Sequence, residues 1–386
     1  MTPAPNDLID TVAAIGREVA HQHANSVDTE ARFPKETLAA LKHAGALGAA
    51  VPKEFGGPGC NIVELTQMTQ ALSEHCAASG MVLAMHHIQV ASIANHLGGS
   101  SELGDYLGRV ASEQRLIASA TSEIGPSGDM RRSECAVTPT GDDFEVTKQA
   151  TTISYGQHAD DLLLTARRNA DAAPNDQVAV LALQGSYIIE IKGVWNTLGM
   201  RGTCSPGGEV RVSGAPWQIM SQPFGDIATE TMVPYSHITW AGCWLGIATD
   251  AVNKARKSVR EAARKQAGQT PPAALNLAAT MEKLIRLRAE VYGAAREQDH
   301  LAQADRPALS SLGYALRINS LKLSASTQVP EIITDALRII GIRAYKNDSE
   351  YALGRHLRDA HSAALMVNND RLRATNASLL LVHKGN

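Results

Sequence analysis

Aromatic side chains are scarce in this chain: Phe, Trp and Tyr together make up 4% of its 386 residues. A core of the size this length permits must therefore be built from Leu, Ile, Val, Met and Ala. Cysteine is equally thin. The five thiols (Cys60, Cys76, Cys135, Cys204, Cys243) are scattered and never spaced CxxC. That pattern excludes a disulfide framework and a zinc site, so reduced thiols and no metal are expected. Neither charge is in excess: 36 Lys and Arg stand against 39 Asp and Glu, a net −3. Nucleic-acid binding, which needs a basic domain or stripe, has no electrostatic basis. The one basic cluster, Lys254 to Lys265, reads as a solvated helix face. Apolar runs of about 18 residues are absent, so no membrane span is expected. The N-terminal stretch carries Asp7 and Asp10 without the basic, apolar and small-residue pattern of a signal peptide, and a cytoplasmic location is expected. Repeats and low-complexity segments are missing as well.

What is present falls into three blocks, with expected limits at 1–115, 116–225 and 226–386. The first is helical. Phe33-Pro34-Lys35-Glu36 opens a helix whose Leu38, Leu41 and Leu47 recur at helical spacing. Pro52 and Gly56-Gly57-Pro58-Gly59 interrupt it, and helices are expected over Val63–His75 and Gly80–Leu97. In the second block the period drops to two. Phe144–Val146, Leu162–Thr165, Val178–Leu183, Ile188–Ile191 and Val210–Val212 are short β-type runs separated by Gly, Pro, Asn and Asp, the pattern of a small barrel or sandwich. The third block is helical again. Helices are expected over Trp240–Lys265, from a Thr270 cap with Pro271 in its first turn, and over Leu309–Thr327, Pro330–Ile340 and Glu350–Val367. The fold class is α+β, mostly α.

Five segments in order carry a resemblance across nearly the whole chain. They are Phe33 to Gly59 (ending VPKEFGGPG), Ser122 to Asp129 (SEIGPSGD), Ile153 to Asp160 (ISYGQHAD), Leu198 to Thr203 (LGMRGT), and Asp335 to Gly341 (DALRIIG) with Leu357 to Ala360 (LRDA). Each is weak alone, but together they resemble the acyl-CoA dehydrogenase family of flavoproteins. The resemblance implies a helical N-domain, a middle β-domain and a C-terminal four-helix bundle, assembled as a homo-oligomer, tetramer or dimer. It implies FAD between the β-domain and the C-domain, with FMN as the alternative. The implied chemistry is removal of the α-proton of an acyl-CoA by a carboxylate while the β-hydride passes to the flavin, as in fatty acid metabolism.

The same resemblance assigns the flavin contacts. Ser122 and Ile124 are expected to present backbone groups to the ring and Ser127 to meet the pyrophosphate. Read alone, this small-residue segment is a plain turn. Ile153 and Ser154 fall in the ISYG segment, where Ser154 stands for a threonine whose hydroxyl bonds flavin N5; serine keeps that donor. Tyr155 replaces a small polar residue and is expected to reshape the pocket over the ring. Arg201 has either a substrate-side role or that of a turn stabiliser. At the adenine half the sequence departs from the family. Arg264 is the substitute for an arginine position that falls on Ala262, and Gly341 is followed by Ile342, Arg343 and Ala344 where the family has further glycine. Arg343 is a candidate anion contact.

The largest departure is a missing acid. The two positions that hold the family's catalytic Glu in its different branches are Val367, followed by Asn368 and Asn369, and Ser236. Neither side chain accepts a proton at neutral pH, and a general base contributes about 10²–10⁴ in rate. Asp370 and His237 are the candidate substitutes. Three functions are compatible with these residues. One is α,β-dehydrogenation of an acyl-CoA by an unconventional base, with an electron-transfer flavoprotein as acceptor. The second is a flavin-dependent monooxygenase or oxidase of the same fold, supplied by a flavin reductase. The third is a catalytically silent flavin or acyl binder. Met85, His86, His87 and Gln89 are either pocket residues or core helix.

Overall fold

The computed structural model describes residues 4–125, 129–265 and 269–383. The first region holds six helices: α1 (Pro5–Ile15), α2 (His21–Thr29), α3 (Lys35–His43), α4 (Ile62–Ser73), α5 (Ala77–Ala94) and α6 (Ser101–Glu113). The start of α4 is fixed by a capping box, Asn61 accepting from the Glu64 N–H while Glu64 accepts from the Asn61 N–H. α5 is apolar all round and its residues are nearly all buried, the signature of a central core helix. By length and composition it would also reach across a membrane, but 89% of it is buried inside the protein.

The second region forms two small sheets. β1 (Ile117–Ala120), β4 (Asp161–Arg167) and β5 (Gln177–Ala182) make one, in the order β1-β4-β5. β2 (Thr138–Thr140), β3 (Asp143–Ala150), β6 (Tyr187–Ile191) and β7 (Gly208–Gly214) make the other, in the order β2-β3-β7-β6. Residues of both, among them Val146, Leu164, Val180 and Val210, share one apolar core. β1 was not expected. Its run is short and ends in small residues, and it becomes a strand by pairing in parallel with β4, Ile117 opposite Asp161.

The third region contains α7 (Phe224–Ile227), α8 (Val233–Lys265), α9 (Ala273–Ala304), α10 (Leu312–Ile340), α11 (Ile342–Tyr345), α12 (Gly354–His361) and α13 (Asn369–Val382). α8, α9 and α10 pack on one another, α12 and α13 lie against α10, and α4 and α5 from the first region pack on α8. Gly246 permits that close approach, since a Cβ there would stand 2.4 Å from the Gln70 carbonyl oxygen. The fold is α+β, mostly α, with helices at both ends of the chain and the sheets between.

Four expectations change. α8 begins at Val233, continuing from α7 through a π-helical turn (Ala228–Met232) with Pro234 just after it; Ser236 and His237 therefore sit on a helix. α9 starts at Ala273, beyond both prolines. α10 runs unbroken through Pro330. A proline inside a helix costs about 3 kcal/mol, and burial of Val329, Ile332, Ile333 and Ala336 on the neighbouring helices outweighs it. Finally, α12 ends at His361, and a turn follows in which Val367 has φ +51°.

Candidate active site

A cavity of about 750 Å³ opens where the three regions meet. Its β-side wall comes from the end of β1 and the segment after β3: Ser119, Thr121, Ser122, Thr152 and Ser154. The wall is pinned in register. The Ser154 N–H donates to the Ser119 carbonyl (3.0 Å), and Ser122 Oγ lies 3.0 Å from Thr152 Oγ1. Behind it runs a buried ion pair, Lys148 Nζ to Glu123 Oε2 at 3.2 Å, with Glu123 also accepting from the Glu134 and Cys135 N–H groups. These bonds hold Ser122 against the sheet.

The helical walls are more apolar. α5 contributes Met81, Met85, Ile88 and Gln89; the turn before α8 and its first turns contribute Met232, Val233, Ser236, His237 and Trp240. The loop from Trp195 to Met200 covers one side. Arg358, Ser362, Leu365, Met366 and Val367 form the C-terminal wall, with Arg371 and Leu372 beyond. That wall is braced from behind. Lys322 on α10, fully buried, donates to the Val367 carbonyl (2.6 Å) and to Asn369 Oδ1 (2.7 Å). Burial, and secondarily the charge of Arg373, lowers the Lys322 pKa to about 8. Val367 is β-branched and sits in the left-handed region, a strained conformation that the Lys322 clamp holds in place.

The structure sorts the expected site residues. Ser122 and Ser154 line the cavity. Ile153 is buried beneath it and Ile124 lies outside, 61% exposed, with its N–H spent on the Gln149 carbonyl. Ser127 lies outside the described residues. Tyr155 does not reshape the pocket: its ring turns into the β core and its hydroxyl donates to the Ile117 carbonyl at 2.9 Å. Arg201 ties the turn to α2, donating to the Asp28 and Thr197 carbonyls. Of the four α5 candidates, Met85 and Gln89 face the cavity. His86 instead bridges the Leu47 carbonyl and the Ile117 N–H, and His87 is buried without lining the cavity.

Arg264 is exposed at the end of α8, Gly341 caps α10, and neither lines the cavity. Arg343 is not a new anion contact. It is held by Glu261 (3.0 Å) and Ser258 (2.6 Å) and stacks over the Tyr351 ring. Asp370 does not supply a base, because its side chain is 88% exposed and paired with Arg373, outside the cavity. His237 does line the cavity, but burial, with help from Lys322, lowers its pKa to about 3 against a hydrogen bond with the Ile318 backbone. It is a neutral imidazole, suited to hydrogen bonding and poor at taking a proton. Trp195, Trp240, Asn319 and Lys322 went unnoticed in the sequence. Trp240 lies one turn from His237, a spacing that would have identified it had α8 been extended to Val233.

The β-side wall fits the polar edge of a flavin ring: small hydroxyl side chains along one wall, no bulky group among them, and apolar side chains facing them. Residues 2–114 match the family described as "Acyl-CoA dehydrogenase, N-terminal domain", and residues 226–366 match "Acyl-CoA dehydrogenase, C-terminal domain". The short-chain specific acyl-CoA dehydrogenase of Clostridium acetobutylicum is 27% identical over 344 residues, 87% of each chain. Among solved structures, FMN-bound TdsC from Paenibacillus sp. A11-2 superposes with a TM-score of 0.82 at 20% identity over 98% of both chains. Butyryl-CoA dehydrogenase from Megasphaera elsdenii superposes at 0.78 with 18% identity over 99% of both. At these identities the two structures speak to the fold alone.

Proposed function

The chain belongs to the acyl-CoA dehydrogenase family of flavoproteins, and from that premise we propose that it is a flavin-dependent monooxygenase acting on a small, largely apolar molecule. One observation carries this reading. Among the described residues that line the cavity, Asp129 is the sole carboxylate, and it accepts the Arg131 N–H within its own loop. Removing an α-proton from a thioester needs a positioned base, whereas oxygen insertion does not.

A reduced flavin, when bound, supplies the two electrons with which, together with two protons, one atom of dioxygen enters the substrate and the other leaves as water. Ser119, Ser122, Thr152 and Ser154 would hold the polar edge of its ring. Met81, Met85, Ile88, Val233, Leu365 and Met366 surround the opposite space and exclude water, which protects such chemistry from side reactions. Lys322 holds the wall that carries Met366 and Val367. The reductant would come from a separate flavin reductase. In an FAD-bound homo-oligomer, Arg264 and Gly341 would serve the adenine half of a cofactor whose ring lies in another copy's cavity.

The similarity to the clostridial acyl-CoA dehydrogenase favours a second reading, dehydrogenation of an acyl thioester with electrons passed to an electron-transfer flavoprotein. Two measurements separate the readings. Reduced protein given oxygen and a panel of aromatic and aliphatic compounds is expected to yield an oxygenated product. Oxidised protein given acyl-CoA thioesters anaerobically is expected to keep its flavin colour, in wild type and in Val367→Glu alike. Bleaching of the wild type by any thioester would establish dehydrogenation instead, and a protein that takes up no flavin would be a silent binder. The mass of the flavin released on denaturation distinguishes FMN from FAD.

A further inference from the structure

Six of the chain's ten methionines, Met81, Met85, Met130, Met200, Met232 and Met366, line the cavity, which is bounded by fewer than a tenth of the residues. Methionine is concentrated there and not spread over the core. None of the five cysteines lines it. Three of the six methionines keep accessible surface. Met85 on α5, Met130 in the loop after β1 and Met366 in the turn after α12 are half-buried, whereas Met81, Met200 and Met232 are at most 4% exposed. Away from the cavity, Met68 and Met220 are fully buried and Met281 on α9 is half-buried.

A thioether has no proton to lose, so its sulfur lone pair attacks a peroxide at any ordinary pH. A thiol reacts through its thiolate, and burial pushes Cys60, Cys135 and Cys243 up to about 12. Peroxide formed in this cavity therefore meets thioethers on its walls, while those thiols stay protonated. The reaction read above gives such peroxide a source. When reduced flavin meets dioxygen and no substrate is present, two electrons and two protons pass to dioxygen and hydrogen peroxide leaves. The thioether sulfur then takes one peroxide oxygen and gives up two electrons, and the second oxygen leaves as water.

We propose that Met85, Met130 and Met366 are modification sites, oxidised to methionine sulfoxide by hydrogen peroxide released inside the cavity during turnover without substrate. This rests on the oxygen-using reading given above. Each oxidation turns a flexible apolar side chain into a polar one. The wall that faces an apolar substrate becomes polar, and idle turnover limits itself.

The test supplies the full chain with FMN, and separately with FAD, a flavin reductase and NADH in air. Catalase is present to destroy peroxide that reaches bulk solution, and each methionine is read by peptide mass spectrometry. Met85, Met130 and Met366 are expected to carry about fivefold more sulfoxide than Met281, which lies outside the cavity. Flavin-free chain given hydrogen peroxide without catalase is the reference. There Met281 is expected to oxidise within about twofold of the three, because it is half-buried as they are. Oxygen uptake is expected to decline as sulfoxide accumulates in the wild type and to hold steady in Met85→Leu, Met130→Leu, Met366→Leu, a triple change that nearly conserves volume. Melting curves report whether that variant folds, and if it does not, the peptide readout decides. Oxygen uptake with Met281 oxidised as much as the three, with none of them oxidised, or undiminished as sulfoxide accumulates would overturn this inference and leave the oxygen-using reading intact. No uptake beyond that of free flavin would overturn both.

Discussion

Two fully buried lysines stand behind two walls of the cavity, and their surroundings treat them differently. Lys148, behind the β-side wall, meets a carboxylate: Glu123 at 3.2 Å, with the Thr165 carbonyl and hydroxyl completing its shell. Lys322, behind the C-terminal wall, meets only a main-chain carbonyl and an amide. Charge compensation makes the first wall a finished piece of structure. The second is held by a cation that burial pushes toward neutrality, against a turn whose Val367 is strained. The wall that resembles the family is the compensated one. The other, which carries Val367 and Asn369, is held by neutral partners. Among the described residues no carboxylate stands on that wall of the cavity, and Val367→Glu probes through activity what one placed there would do.

The sharpest way to break the contrast is Lys148→Met. It leaves Glu123 buried and unpaired, and a loss of about 3–5 kcal/mol is expected in chemical denaturation. A loss under about 1 kcal/mol would mean the pair adds little.

pH gives the next largest effect. The folded pKa of Lys322 is lowered from 10.5 to about 8. Below pH 8 the ammonium is charged in both states and the burial penalty is fully present. Between pH 8 and 10.5 the folded chain has released a proton that the unfolded chain still holds, so stability rises with pH, by up to about 3 kcal/mol. The rise is read as wild type minus Lys322→Met across that window. A flat difference would contradict it.

At neutral pH, Lys322→Met itself should change global stability by less than about 1 kcal/mol. Two acceptors are orphaned, but a buried charge is removed. The local signature is larger: amides of 365–369 are expected to exchange faster in hydrogen exchange, while those of β1 and β4 stay unchanged. The smallest effect is expected from Val367→Asn. Asparagine adopts the left-handed region more readily than valine, so a gain of about 0.5–1 kcal/mol in thermal melting is expected. A loss would show that Val367 is held by packing and not against strain.

Much of the fold was legible residue by residue. The helical spacing around Leu38 and Leu41 and the alternation in Phe144–Val146 and Val210–Val212 read through to the elements found, because a regular period is a local property. β1 was illegible because its strand character comes from pairing with β4. The break in α10 anticipated at Pro330 did not occur, because packing on α8 outweighs a local preference. Ser122 and Ser154, marked by their segments, line the cavity, whereas Asp370, close in sequence to Val367, faces solvent beside Arg373. Lys322 carried no sequence signal, as a lone lysine in a helix reads as surface.

By itself, then, the sequence determined the order of helical, β and helical regions and the family. These follow from side-chain period and residue identity, which no packing can alter. Tertiary structure alone decided the make-up of the cavity. It brought Gln89, His237 and Trp240 to one cavity, set the protonation of His237 by burial, and placed Lys322 behind Val367. Each of these depends on which helices meet and on how much water they exclude, quantities that exist only once the chain has folded.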